Sequence, residues 1–237
     1  MKYFLIFILS GLIFLMFVSC GKSDKNNPIE PITENTNTES TNTGGGSSAG
    51  TFFDDFESDT VGQMPAEWAV RYSGESLKVV SSPVYAGSKA FMLRGASLQV
   101  GSATHDIDIT QDFVLEAYFY LPSGGLGYET QGTIGYNDGY RAQFVKNSTS
   151  TFQIKCTGST NTYGTYNGDQ WHKIKLEIDA DSHRYRVSID ENVVATVNAG
   201  TLDDRNIELW SCNLADSGAI RTIYFDNVKV YSGSFNF

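Results

Sequence analysis

The sequence is 237 residues long, carries a net charge of −10 and is 13% aromatic. From Thr51 onward, 14 Lys and Arg stand against 23 Asp and Glu, so this part is acidic by nine. Such a balance offers no basic stripe for nucleic acid or anionic lipid. It fits neutral ligands or bound cations, and it favours solubility.

Lys2 is the lone charge before an apolar run from Tyr3 to Val18. A basic start, a short apolar stretch and a small-residue exit describe a secretory signal peptide. A membrane-spanning helix needs about 20 apolar residues, and this run is shorter and interrupted by Ser10 and Gly11. It closes with Val18-Ser19-Cys20-Gly21, which resembles the lipobox of bacterial lipoproteins. That resemblance implies cleavage before Cys20 and lipidation of Cys20, with residues 1–20 as the signal peptide. Gly21 in place of Asp permits, by the same resemblance, an outer-membrane destination in the cell envelope. Residues 21–50 are rich in Asn, Thr, Ser and Gly and almost free of apolar side chains. They are expected to form a disordered tether, with a coil span of about 30 Å. Membrane contact is expected through the lipid anchor only.

Residues 51–237 make one domain by length, long enough to bury a core without a covalent staple. Cys156 and Cys212 are the candidate disulfide in an exported chain; two buried free thiols are the alternative. No Cys/His spacing suits zinc.

Strands are predicted at Leu77–Ser81, Ala90–Arg94 and Ser97–Val100. Phe113 to Leu121 alternates strictly: Phe113, Leu115, Ala117, Phe119 and Leu121 share one face, and Glu116, Tyr118 and Tyr120 the other. Further strands fit Gly139–Val145 and Phe152–Thr157. Trp171–Asp179 sends Ile174, Leu176 and Ile178 inward and Lys173, Lys175, Glu177 and Asp179 outward. A turn at Ala180-Asp181-Ser182 returns the chain through His183–Ile189, and Asp190-Glu191-Asn192 turns it again into Val193–Val197. Ile207–Cys212 and Ile220–Tyr231 complete the set. No stretch carries a long 3.6-residue apolar stripe. The pattern predicts an all-β fold, a two-sheet antiparallel jelly-roll sandwich.

Three segments resemble the concanavalin A-like lectin/glucanase sandwiches, including laminin-G-like domains. They are the opening Phe53-Asp54-Asp55-Phe56-Glu57 before Trp68, the hairpin from Trp171 to Asp190, and the close Ile223-Tyr224-Phe225-Asp226-Asn227-Val228-Lys229-Val230-Tyr231. The resemblance implies a carbohydrate partner. It also implies one structural calcium ion at Asp226 with Glu57 or Asp55. Asp226 shares, by strict alternation, the face of Tyr224, Val228 and Val230, which points it toward the core. Calcium takes six to eight oxygen ligands, and a buried carboxylate needs a partner of some kind.

Tyr118, Tyr120 and Glu116, with Tyr136, Tyr140 and Tyr128 nearby in sequence, are the candidate sugar-binding residues. A tyrosine ring stacks on a pyranose and its hydroxyl bonds it; the alternative is that these rings cover a sheet face. Glycoside hydrolysis usually needs two carboxyls at a fixed separation. The Glu-x-Asp-x-x-Glu strand of laminarinase-like relatives is absent, and Glu177-x-Asp179 lacks the third acid. No catalytic residue is nominated. The expected function is non-catalytic glycan binding by an exported, lipid-anchored protein. A divergent glycoside hydrolase or polysaccharide lyase, or a structural or adhesive envelope protein, are the alternatives.

Overall fold

The structure, a computed structural model, describes residues 51–95, 100–107, 109–123, 130–136, 139–199, 206–211 and 221–237. The signal peptide with Cys20, the tether, Tyr128, Cys212 and most of the predicted strand Ser97–Val100 lie outside the described residues.

The described residues form fifteen strands and no helix. They are β1 (Phe52–Asp54), β2 (Ala69–Ser73), β3 (Ser76–Val80), β4 (Ala90–Gly95), β5 (Gly101–Asp106), β6 (Phe113–Tyr120), β7 (Thr130–Tyr136) and β8 (Tyr140–Lys146). They continue with β9 (Thr151–Cys156), β10 (Thr162–Asn167), β11 (Trp171–Asp179), β12 (Arg184–Ile189), β13 (Asn192–Asn198), β14 (Asn206–Ser211) and β15 (Arg221–Ser232). One sheet has eight strands, in the order β13-β12-β11-β6-β15-β4-β3, with β1 also pairing β15. The other has seven, in the order β10-β9-β8-β7-β14-β5-β2. All pairings are antiparallel. The expected two-sheet sandwich is the fold.

Alternation decides which side chains meet between the sheets. Phe113, Leu115, Ala117 and Phe119 of β6, with Ile174, Leu176 and Ile178 of β11, face Ile134, Ala142, Phe144, Ile154 and Leu209 of the other layer in one core. Phe119 stacks on Phe144 across the layers, with ring centroids 4.1 Å apart. The hairpin β11–β12 keeps unbroken register from Ile174↔Ile189 to Asp179↔Arg184. At the next turn Asp190 and Glu191 both adopt positive φ, +49° and +65°, the geometry of a two-residue hairpin. Asp190 holds it in place: its carboxylate accepts the Lys173 amide at 2.9 Å and meets His172 Nδ1 at 2.7 Å.

One expected face is not the observed one. On β15 a bulge sits between Asp226 and Lys229, with Asn227 at φ +49°. The extra residue reverses the alternation. Val228 and Val230 point inward, and Asp226 shares the outer face with Tyr224 instead. Cys156 is a free, buried thiol. Burial pushes its pKa up to about 12, which keeps it protonated and unreactive. Finally, β2–β5, β9–β10 and β12–β13 each carry a register shift.

Candidate functional site

The outer face of the eight-stranded sheet carries the predicted tyrosines in cross-strand rows. Tyr120 lies between Trp171 and Tyr224, and Tyr118 between Lys173 and Asp226. Tyr120 meets Trp171 at 5.6 Å and Tyr224 at 5.9 Å between ring centroids. A residue from outside the sheet completes the group. Tyr85, in the loop before β4, stacks on Tyr118 with centroids 3.5 Å apart and planes 14° off parallel, and meets Trp171 edge-on at 6.1 Å. A side-chain hydrogen bond with Tyr85, and then burial, push the Tyr118 phenol to about 12. Tyr85 itself is 44% exposed. Five rings thus form one continuous surface.

Two of the three residues expected at calcium hold the loop that brings Tyr85 there. Asp226 Oδ2 accepts the amides of Tyr85 at 2.9 Å and Ala86 at 3.2 Å. Glu57 accepts the Ser88 amide at 2.8 Å, the Ser88 hydroxyl at 2.7 Å and the Lys89 amide at 2.8 Å. These Ser88 and Lys89 bonds hold the Glu57 carboxyl below its ordinary value. Asp55 Oδ1 accepts the amide of Glu57 at 3.1 Å, steadying the turn that presents it. Lys89 Nζ takes the carbonyls of Glu57 and Asp59, each at 2.7 Å.

The oxygen that still lacks a partner is Asp226 Oδ1, which is buried. Burial raises the Asp226 carboxyl, and the amides of Tyr85, Ala86 and Asn227 only partly counter it. An orphaned buried carboxylate oxygen suits a hard cation. No group of three or more His, Cys, Asp or Glu gathers among the described residues; a calcium ion here would take Asp226 Oδ1 as its carboxylate ligand. Glu57 and Asp55 spend their carboxylates on amides.

The remaining predicted residues divide. Glu116 lies on the outer face, nearly buried, 3.0 Å from Lys173 Nζ and 3.4 Å from the Tyr231 hydroxyl. Burial works against the Lys173 charge, but bonds to Glu191 and Glu116 outweigh it and hold its pKa above the ordinary value. Tyr136 and Tyr140 are not surface residues. They face the core with Ile134, Ala142 and Phe144, and pack edge-on against Phe113 at 4.8 Å and Tyr185 at 5.6 Å. Burial pushes Tyr140 up to about 12. Glu177 pairs with Arg186 at 2.5 Å, and Asp179 accepts the Ser182 amide at 2.9 Å to close the β11–β12 turn.

A second outer-face cluster has no local sequence signal. On the seven-stranded sheet, Glu208 of β14 pairs with Arg71 of β2 and Arg141 of β8, and accepts the Trp210 indole N–H at 2.9 Å. Arg141 lies over the Trp210 ring at 4.6 Å, and Tyr72 meets that ring edge-on at 5.7 Å. These residues are spread from position 71 to 210, and only the sheet order unites them.

No known family's sequence profile matches the chain, and no curated protein matches it by sequence. Solved structures do match it in fold. A protein named "Sialidase" is 11% identical at a TM-score of 0.59, over 77% of this chain and 18% of its own. The chain therefore spans under a fifth of that relative. "Cellulose induced protein, Cip1" is 15% identical at a TM-score of 0.57, over 78% of this chain and 99% of its own. A structure reported under "Prominent members of the human gut microbiota express endo-acting O-glycanases to initiate mucin breakdown" is 15% identical at a TM-score of 0.51, over 76% of this chain and 97% of its own. At these identities the likeness is one of fold, and it agrees with the two-sheet antiparallel sandwich expected from the sequence.

Proposed function

We propose that the domain binds a neutral glycan, without cleaving it, on the ring surface of Tyr85, Tyr118, Trp171, Tyr120 and Tyr224. The observation that carries this reading is Tyr85. A half-exposed ring stacked on Tyr118 and held by a buried carboxylate is arranged in advance for a flat apolar partner. Sugar rings present such faces. Two of the fold relatives are named for glycan-acting proteins, a sialidase and mucin O-glycanases. Against cleavage, the outer-face carboxylates Glu116, Glu177 and Glu208 are each engaged by a cation, Lys173, Arg186 and Arg141 in turn.

A calcium ion at Asp226 would fasten the same loop. We further read residues 1–50 as export and lipid anchoring at Cys20, which would display the domain from the cell envelope. Cys20→Ser should then move the protein from the membrane to the soluble fraction.

The binding test is a panel of neutral polysaccharides titrated against the purified protein. At least one should bind, and Tyr85→Ala should weaken it about tenfold, the loss of roughly one good aromatic contact. Absence of binding across the panel, or a Tyr85→Ala variant that binds like the parent, would overturn the assignment.

A further inference from the structure

Glu208 is fully buried although it points to the outer face of the seven-stranded sheet. What covers it is Arg71, Arg141 and Trp210: Arg141 and the Trp210 indole reach Oε2, and Arg71 forms an ion pair at Oε1. Its cross-strand neighbours are Thr104 and Gly135. Gly135 in turn pairs with Arg141, and a Cβ on Gly135 would stand 2.6 Å from Arg141 Cγ. The missing side chain is the lane through which the Arg141 guanidinium reaches Glu208. Stability does not require this arrangement, since a well-packed apolar set of similar volume commonly serves a fold as well as a buried ion cluster. The cluster instead fixes two cations and one anion against two aromatic rings, which leaves one positive charge on a chain of net charge −10.

The accessible parts of the cluster are a cation and ring faces. The Arg71 side chain is 26% exposed and pairs with Glu208 through Nη1. A guanidinium carries five N–H donors in a planar fork that matches a carboxylate. Its Cζ lies 5.7 Å from the Tyr72 ring centre and 5.6 Å from that of Trp210. Tyr72 is 40% exposed. The Arg71 cation therefore sits against both rings, so a ligand that meets the cation also meets their exposed edges.

We propose that this face is a second saccharide site, specific for acidic sugars. The uronate carboxylate takes the Arg71 fork, and the pyranose ring lies against Tyr72 and Trp210. Glu208 and Arg141 act as positioning residues beneath. The site is independent of the Tyr85 surface, which lies on the other sheet.

The test is calorimetric titration of the intact protein with oligogalacturonate, oligoglucuronate and oligomannuronate, each beside its carboxyl-reduced neutral counterpart. At least one uronate should bind, and carboxyl reduction should weaken it about tenfold or more, as loss of a charge-assisted fork implies. Arg71→Ala should do the same. Arg71→Lys, which keeps the charge but not the fork, should fall between. Tyr85→Ala should leave uronate binding unchanged while weakening neutral-glycan binding about tenfold. Failure of all three uronates to bind, equal binding of the reduced forms, or parent-like binding by Arg71→Ala would overturn the acidic-sugar site. Loss of uronate binding in Tyr85→Ala would move the ligand to the other sheet and overturn it equally.

Discussion

Asp226 carries a conflict that can be measured. Its carboxyl stands above the ordinary value of 3.8 in the fold because burial disfavours the charge. The folded chain therefore holds that proton more tightly than the unfolded chain. Its contribution to stability is greatest below pH 3.8 and is lost as pH rises through the raised value. Asp226→Asn keeps an acceptor for Tyr85 and Ala86 and removes the charge. It should be at least as stable as the parent at pH 7 in chelator, with the gap closing in acid. Calcium should raise the parent's melting temperature at pH 7, by the equivalent of about 2.7 kcal/mol at a hundredfold excess over Kd, and leave the variant unmoved. Glu57 has the opposite sign. Its carboxyl is held below 4.5 by Ser88 and Lys89, so its hold on the loop is complete above pH 4.5 and fails as pH falls through the lowered value. Neutral-glycan affinity should decline over that acid range, and titrations stepped downward from pH 7 through the range below pH 4.5 check it.

Strands and loops show which parts of the structure could be read early. The hairpin β11–β12 and strand β6 were legible because each alternates apolar and polar residues without interruption. No strand was predicted at β1, β2, β5, β7 or β10; β1 is three residues long, and in β5, β7 and β10 glycine and small polar residues stand where a periodic signal would be, as in Thr130-Gln-Gly-Thr-Ile-Gly-Tyr. The misplaced face of Asp226 on β15 came from a bulge that simple alternation cannot see. Tyr118 and Tyr120 were found as a same-face pair. Tyr85 was not, because a carboxylate 141 residues away places it. The glycines in these elements are testable. Gly87 has φ +67°, and a Cβ there would lie 2.7 Å from Glu57 Cδ. Gly87→Ala should cost more than about 1 kcal/mol and weaken neutral-glycan binding by displacing the loop. Gly135→Ala should cost about 1–3 kcal/mol by overpacking and weaken uronate binding alone. Chemical denaturation with parallel titrations separates the two.

At the scale of the molecule, one core joins both sheets, so its damage should be felt as a single loss. Phe119 is fully buried and packs on Phe144, Phe152 and His172 from both layers. Phe119→Ala should lower stability by about 3–5 kcal/mol, whereas exposed Val193→Ala should stay within about 0.5 kcal/mol; urea unfolding reads both. The sandwich is open, with β13 and β3 bounding one sheet and β10 and β2 the other. At β13, β10 and β2 the ladder to the neighbouring strand slips by a residue. A slipped ladder twists its margin and spoils it as a template for a strand from another molecule. Copies crowded together should therefore resist stitching into fibrils, and each would remain a separate unit with both of its broad faces open to the surroundings.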